Sequence, residues 1–104
     1  MKDRITLVVR FHITASAREE FLAKLQDMFT SILKEDTFVE ASLVQDISDP
    51  ESVLNYEVWN ESPESFMKEQ LSKHYRADFE KMIADLRIER IPAWYSTIAN
   101  WTKV

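Results

Sequence analysis

The chain contains no cysteine and no glycine. Without a thiol there is no disulfide, no thiolate zinc site, no iron–sulfur cluster and no cysteine nucleophile. Without glycine, the backbone cannot approach a phosphate as it does in the P-loop and the Rossmann turn, since both depend on residues lacking a Cβ. Nucleotide cofactors held in those ways are excluded. What remains is side-chain chemistry, or a pocket that only binds. Positive charge is also scarce: 13 Lys and Arg stand against 18 Asp and Glu, for a net charge of −5. An acidic chain without a basic stripe repels a phosphate backbone, so nucleic acid is not an expected partner. No apolar run approaches the roughly 20 residues that span a bilayer. The start, Met1-Lys2-Asp3-Arg4, shows no signal-peptide order of charged head, apolar run and small-residue cleavage site. The expectation is a cytoplasmic protein with no membrane contact.

What is present suits a compact core. The 104 residues are one domain's worth, taken as a single unit over 1–104, and 45% of them are hydrophobic. Six Phe, three Trp and three Tyr supply ample apolar area, which argues against disorder. A domain of this size buries a modest fraction of its surface, and association with a second copy is one way to add to it.

Hydrophobic periodicity divides the chain. Ile5, Leu7, Val9, Phe11 and Ile13 alternate with Thr6, Val8, Arg10 and His12, the period of a strand with one apolar face. Ser16-Ala17-Arg18-Glu19 has the spacing of a capping box. Phe21, Leu25, Met28, Phe29 and Ile32 then follow as one helical stripe. Phe38 to Asp46 alternates as a second strand. Asp46 to Ser52 is rich in turn residues and reads as a hairpin loop. Val53 to Trp59 reads as a third strand, antiparallel to the second. Ser62-Pro63-Glu64 starts a second helix with a cap, a proline at the first helical position and an acid at the positive end of the dipole. Phe66, Leu71, Tyr75, Phe79, Met82, Ile83 and Leu86 form its buried stripe, with a drift in register near Ser72-Lys73. Pro92 ends any helix before it, and Trp94 to Thr102 reads as a final strand.

The order is β-α-β-β-α-β. Right-handed crossovers place both helices on one face of a four-stranded antiparallel sheet, an α+β ferredoxin-like arrangement. The other sheet face is left open and carries residues such as Val8, Val44 and either Tyr95 or Trp94. An open apolar face calls for a partner, most simply a second copy related by a two-fold axis. A homodimer is expected.

Three stretches carry a family resemblance. Asn55-Tyr56-Glu57-Val58-Trp59-Asn60-Glu61-Ser62 resembles the E-x-W motif that ends the third strand of antibiotic-biosynthesis monooxygenase domains. Glu35-Asp36-Thr37-Phe38 resembles the family's turn into strand two, although the usual Pro and Gly are missing. Glu69 to Arg76 resembles the second-helix region, where His is common. The resemblance covers nearly the whole chain. It implies a dimeric α+β barrel and, in some members, oxygenation of electron-rich aromatics by molecular oxygen without metal or flavin. In the polyketide-tailoring members an Asn stands four residues before the Trp and both face the substrate; Asn55 and Trp59 match that spacing. Ser65 and Phe66 occupy the region of those members' tyrosine, and Arg76 is only a neighbour of their arginine by position. Haem-degrading members have an Asn where Val9 falls and an axial His near Glu80, so only Trp59 matches them.

Spacing of two and four in a strand puts Asn55, Glu57 and Trp59 on one face. Asn is depleted in strands, so Asn55 is either a pocket donor or a partner for a neighbouring backbone group. Trp59 is either a pocket wall or core. Glu57, if buried, needs a partner, and a salt bridge across the dimer is the expected one. His74 borders the apolar face of the second helix, and an ordinary imidazole titrates in the range that suits a general base. Arg10 and His12 are read as interface residues. Two His on separate elements, with no ligand spacing, predict no metal site. The resemblance implies a cofactor-independent monooxygenase acting on a small quinol- or anthrone-like aromatic in an apolar pocket between sheet and helices. Asn55 and Trp59 orient the substrate, His74 is the candidate base, and no cofactor is required. The alternatives are a non-catalytic dimeric domain that binds a small hydrophobic molecule, and a haem-binding or haem-degrading member.

Overall fold

The computed structural model describes residues 4–103. Four antiparallel strands, β1 (Ile5–His12), β2 (Phe38–Asp46), β3 (Asp49–Trp59) and β4 (Glu89–Ser96), form one sheet in the order β2-β3-β1-β4. The helices are α1 (Arg18–Ile32), a single turn α2 (Pro63–Ser65) and α3 (Ala77–Asp85). Between α2 and α3 the backbone passes through a π turn, Phe66–Gln70, and a 3₁₀ turn, His74–Arg76. This is the α+β ferredoxin-like fold expected from the order of elements. No helix among the described residues is long and apolar enough to cross a membrane.

The alternation in β1 decides the layering. Ile5, Leu7, Val9 and Phe11 are buried in one cluster with Phe21, Leu25, Met28 and Ile32 of α1 and Phe79, Met82 and Ile83 of α3. Both helices therefore cover the same sheet face. Phe11, Phe21 and Phe79 meet with ring centroids 5.0 to 6.1 Å apart, which ties α1 and α3 to the middle of the sheet. A second row, Phe29–Phe38–Trp59–Phe66–Trp94, runs across the other end, each ring edge-on to the next at 5.1 to 6.1 Å. The opposite sheet face has no helix on it and carries Val8 and Tyr56, both half-buried, with Val44, Ile91 and Tyr95 exposed; Val58 is buried at the end of this face, where residues 97–101 border the same hollow.

Three local expectations are corrected. Ser16 does not cap α1: it lies in a 3₁₀ turn, Ala15–Ala17, its hydroxyl 3.2 Å from that of Thr14, and α1 starts at Arg18. The β2–β3 connection is shorter than the composition suggests. Only Ile47 and Ser48 turn, because the Asp46 carboxylate accepts from both the backbone N–H and the hydroxyl of Ser48. That Asx turn does the work a glycine commonly does. β4 begins at Glu89 rather than Trp94 and contains Pro92, opposite Val9. An edge strand tolerates a proline because one side of its backbone needs no ladder partner. Trp94 consequently faces the helices opposite Leu7, Tyr95 faces the open side opposite Thr6, and Trp101 is exposed beyond the strand.

α3 ends in a left-handed cap without glycine. Arg87 has φ 52°, its N–H bonds the Ala84 carbonyl, and the Ile88 N–H reaches back to the Ile83 carbonyl. These are the paired bonds of a Schellman motif, with Arg87 at the position glycine favours.

Candidate functional site

Between the covered sheet face and the helical layer lies a cavity of about 490 Å³. Leu7, Val9, Leu25 and Met28 form apolar walls, and Met67 and Leu71 stand at its exposed mouth. Five polar side chains reach it: Asn55 and Glu57 from β3, Arg76 from the 3₁₀ turn, Glu80 from α3 and Arg90 from β4.

The period of a strand brings three of the sequence candidates together. Asn55, Glu57 and Trp59 pair with Val9, Leu7 and Ile5 of β1 and share their face. The Glu57 carboxylate sits between its two neighbours. Asn55 Nδ2 donates to one oxygen at 2.5 Å and Trp59 Nε1 donates to the other at 2.8 Å. Asn55 and Glu57 line the cavity, while Trp59 is completely buried outside its lining. Glu57 was expected to pair across a dimer; its partners are instead two residues away on its own strand. It is only 3% exposed. Burial pushes its carboxyl above the ordinary range, while the bonds from Trp59 and Asn55 and the charge of Arg76 pull it back.

Arg76, which the sequence marked only as a neighbour by position of the family's arginine and gave no role, reaches the cavity. It is buried, with its guanidinium carbon 5.5 Å from the Phe66 ring centre and 5.8 Å from that of Tyr75. Its Nε and Nη2 are buried and have no hydrogen-bond partner among the described residues. A buried donor left unpaired is costly, and a charged one more so, which makes Arg76 a ready receptor for an oxygen of a bound molecule. The available signal was an arginine set within the apolar stripe of Leu71, Tyr75 and Phe79.

The neighbouring charges are already matched. Arg90 holds Glu80 through two bonds of 2.7 and 2.8 Å. The Arg90 bond keeps the Glu80 carboxyl below its ordinary value. Tyr75 donates its hydroxyl to Glu35 at 3.0 Å, and Lys73 lies 3.6 Å from the same carboxylate. Burial and the bond to Glu35 push the Tyr75 phenol up to about 12. Farther along, the buried Glu61 accepts from Thr37, Ser65 and Gln70 at 2.6, 2.7 and 2.9 Å, which pins α2 and the π turn to the start of β2.

His74 is not brought to the cavity. The helical stripe breaks after Gln70, and the new 3₁₀ turn points Arg76 inward and leaves His74 exposed. His12 and Arg10 lie on the open face, His12 3.4 Å from Glu51 and Arg10 3.4 Å from the Ser52 hydroxyl. Among the described residues no group of three or more His, Asp or Glu is placed to hold a metal ion. The cavity thus brings together a buried carboxylate, Glu57, and the buried guanidinium of Arg76 among mostly apolar walls.

Residues 4–81 match the sequence model of a family described as Antibiotic biosynthesis monooxygenase. No curated protein matches the chain in sequence. Solved structures are similar in fold. SnoaB from Streptomyces nogalater, a cofactor-independent oxygenase, is 18% identical with a TM-score of 0.75, covering 97% of this chain and 99% of its own. A conserved protein from Methanosarcina mazei Go1 is 17% identical with a TM-score of 0.78, covering 90% and 92%. Rv0793 from Mycobacterium tuberculosis is 14% identical with a TM-score of 0.79, covering 95% and 99%.

Proposed function

The chain belongs to the antibiotic biosynthesis monooxygenase family, and from that premise we propose that it is a cofactor-independent monooxygenase acting on a small electron-rich aromatic of quinol or anthrone type. The observation that carries the reading is the pairing, in one largely apolar cavity, of the buried Glu57 carboxylate with the Arg76 guanidinium, whose Nε and Nη2 have no hydrogen-bond partner among the described residues. A hydroxyarene ionised in such a site passes an electron directly to molecular oxygen. The protein then needs to supply only an apolar enclosure and a group that stabilises the anion. The apolar walls and Arg76 meet those two needs. The similarity to SnoaB, itself a cofactor-independent oxygenase, supports the same chemistry. Asn55 and Trp59 belong to this site through their bonds to Glu57. His74 has no part in it from its exposed position.

Oxygen uptake with dihydroxynaphthalene and anthrone tests the reading. Turnover is expected with at least one of them. Binding of both without uptake supports the non-catalytic binding domain instead. Haem degradation is disfavoured by the cavity wall, which carries Val9 and the Arg90-matched Glu80 and no His.

The helix-free sheet face supports a homodimer, with Val8, Tyr56 and Tyr95 buried against the second copy. Sedimentation is expected to give about twice the 12.3 kDa of one chain.

A further inference from the structure

The bonding around Glu57 assigns roles that the spacing of Asn55 and Trp59 does not. Trp59 has one donor, its indole N–H, and gives it to Glu57. The ring itself is fully buried and presents no surface to the cavity. Asn55 gives an N–H to the other oxygen of the same carboxylate. Two side chains expected to face a substrate therefore converge on a third group. Each Glu57 oxygen accepts one bond and keeps a further acceptor site, and Glu57 lines the cavity that Arg76 also lines.

We infer that Glu57 takes the proton of the substrate, that Arg76 receives the oxyanion this leaves, and that Asn55 and Trp59 are positioning residues for the carboxylate. The substrate class rests on the oxygenase reading above; the assignment of roles rests on the hydrogen bonds. In this step the O–H bond of a neutral hydroxyarene breaks and its electron pair stays on the aryl oxygen. A new O–H bond forms on Glu57. No electron leaves the substrate and no co-reactant is needed.

Charge makes the step favourable in a water-poor site. Before it, the cavity holds the Glu57 anion and the Arg76 cation; afterwards it holds a neutral Glu57, the aryloxide and the same cation. Net charge is unchanged, and the negative charge has moved to the unpartnered donors. The other charged groups on the walls do not compete. Glu80 of α3 and Arg90 of β4 bond each other, while β1 and α1 contribute Leu7, Val9, Leu25 and Met28. Burial, which raises the Glu57 carboxyl above its ordinary value, also brings it closer in acidity to a phenol and makes it a stronger base.

The test mixes the protein with 1,4-dihydroxynaphthalene without oxygen, follows the absorbance of the aryloxide, and then admits air and follows uptake across pH. The intact protein is expected to produce the aryloxide band on binding. Glu57→Gln is expected to lose the band and to lower uptake by about 100-fold or more. Trp59→Phe keeps an aromatic ring but removes one bond to the carboxylate, so the midpoint of the pH profile is expected to move upward. A Glu57→Gln protein that keeps the band and an unchanged pH profile overturns the inference and leaves the oxygenase reading intact. A band in the intact protein with no uptake in air leaves the inference standing and removes the oxygenase reading. If circular dichroism shows that Glu57→Gln does not fold, the Trp59→Phe midpoint decides, and an unmoved midpoint overturns the inference.

Discussion

Trp59 donates its indole N–H to Glu57 across 2.8 Å, from two residues farther along the same strand. Side chains at i and i+2 of a strand share a face but rarely bond, because both stand away from the sheet. Here Trp59 is fully buried outside the cavity lining, while Glu57 lines the cavity and accepts from both Trp59 and Asn55.

That arrangement has a signature in stability. The Glu57 carboxyl is raised in the folded chain above its ordinary value of 4.5, chiefly by burial. A group raised on folding stabilises the fold while protonated, and the contribution is lost as pH climbs from the unfolded value through the folded one. The melting temperature is expected to fall across that window in the intact protein and to fall less in Glu57→Gln. Calorimetric scans at a series of pH values check this; parallel curves for the two proteins would contradict it.

Arg76→Met separates stability from activity. The variant loses the stacking on Phe66 and Tyr75 but also removes two unpaired buried donors. These changes oppose each other, so unfolding in urea is expected to shift by less than about 1 kcal/mol. Oxygen uptake, by contrast, is expected to drop by about 100-fold through loss of the anion's receptor. A stability loss of several kcal/mol would show that Arg76 is chiefly a structural residue.

Arg87→Gly is expected to stabilise the chain. Arg87 holds φ 52° at the end of α3, a conformation that costs a residue with a Cβ about 1–2 kcal/mol, against a smaller entropic cost for glycine in the unfolded chain. A gain of about 0.5–1 kcal/mol in urea unfolding is the expected result. The opposite sign would show that the Arg87 side chain contributes more than its backbone costs.

Val8→Asp places a charge in the middle of the open sheet face, away from the cavity. If that face joins two copies, the variant is expected to sediment as a monomer while keeping its circular dichroism spectrum. A variant that sediments like the parent protein would place the interface elsewhere.

The layering was legible in the sequence because it depends on local periods. The alternation of β1 and the stripes of α1 and α3 each name a buried face, and the buried faces are the ones observed. The common face of Asn55, Glu57 and Trp59 was legible for the same reason. Boundaries were harder. Pro92 looked like a stop, yet it lies inside a strand whose place at the sheet edge only the full topology reveals. Arg76 was hidden in a similar way. Its inward turn depends on the break between the π and 3₁₀ turns, and that break is held by Glu61 bonding Thr37 and Gln70, residues distant in sequence.

Phe66 meets Trp59 and Trp94 in T-shaped contacts, at 5.1 and 5.2 Å, and carries the Arg76 guanidinium over its face. The ring is thus a keystone: the strand end, the edge strand and the cavity's cation all bear on it. A small outward movement of the π turn would loosen all three contacts together, at about 0.5–1.5 kcal/mol for each aromatic pair. The roof of the cavity is therefore held as a unit by one side chain, and a breach of it is a threshold event rather than a gradual loosening.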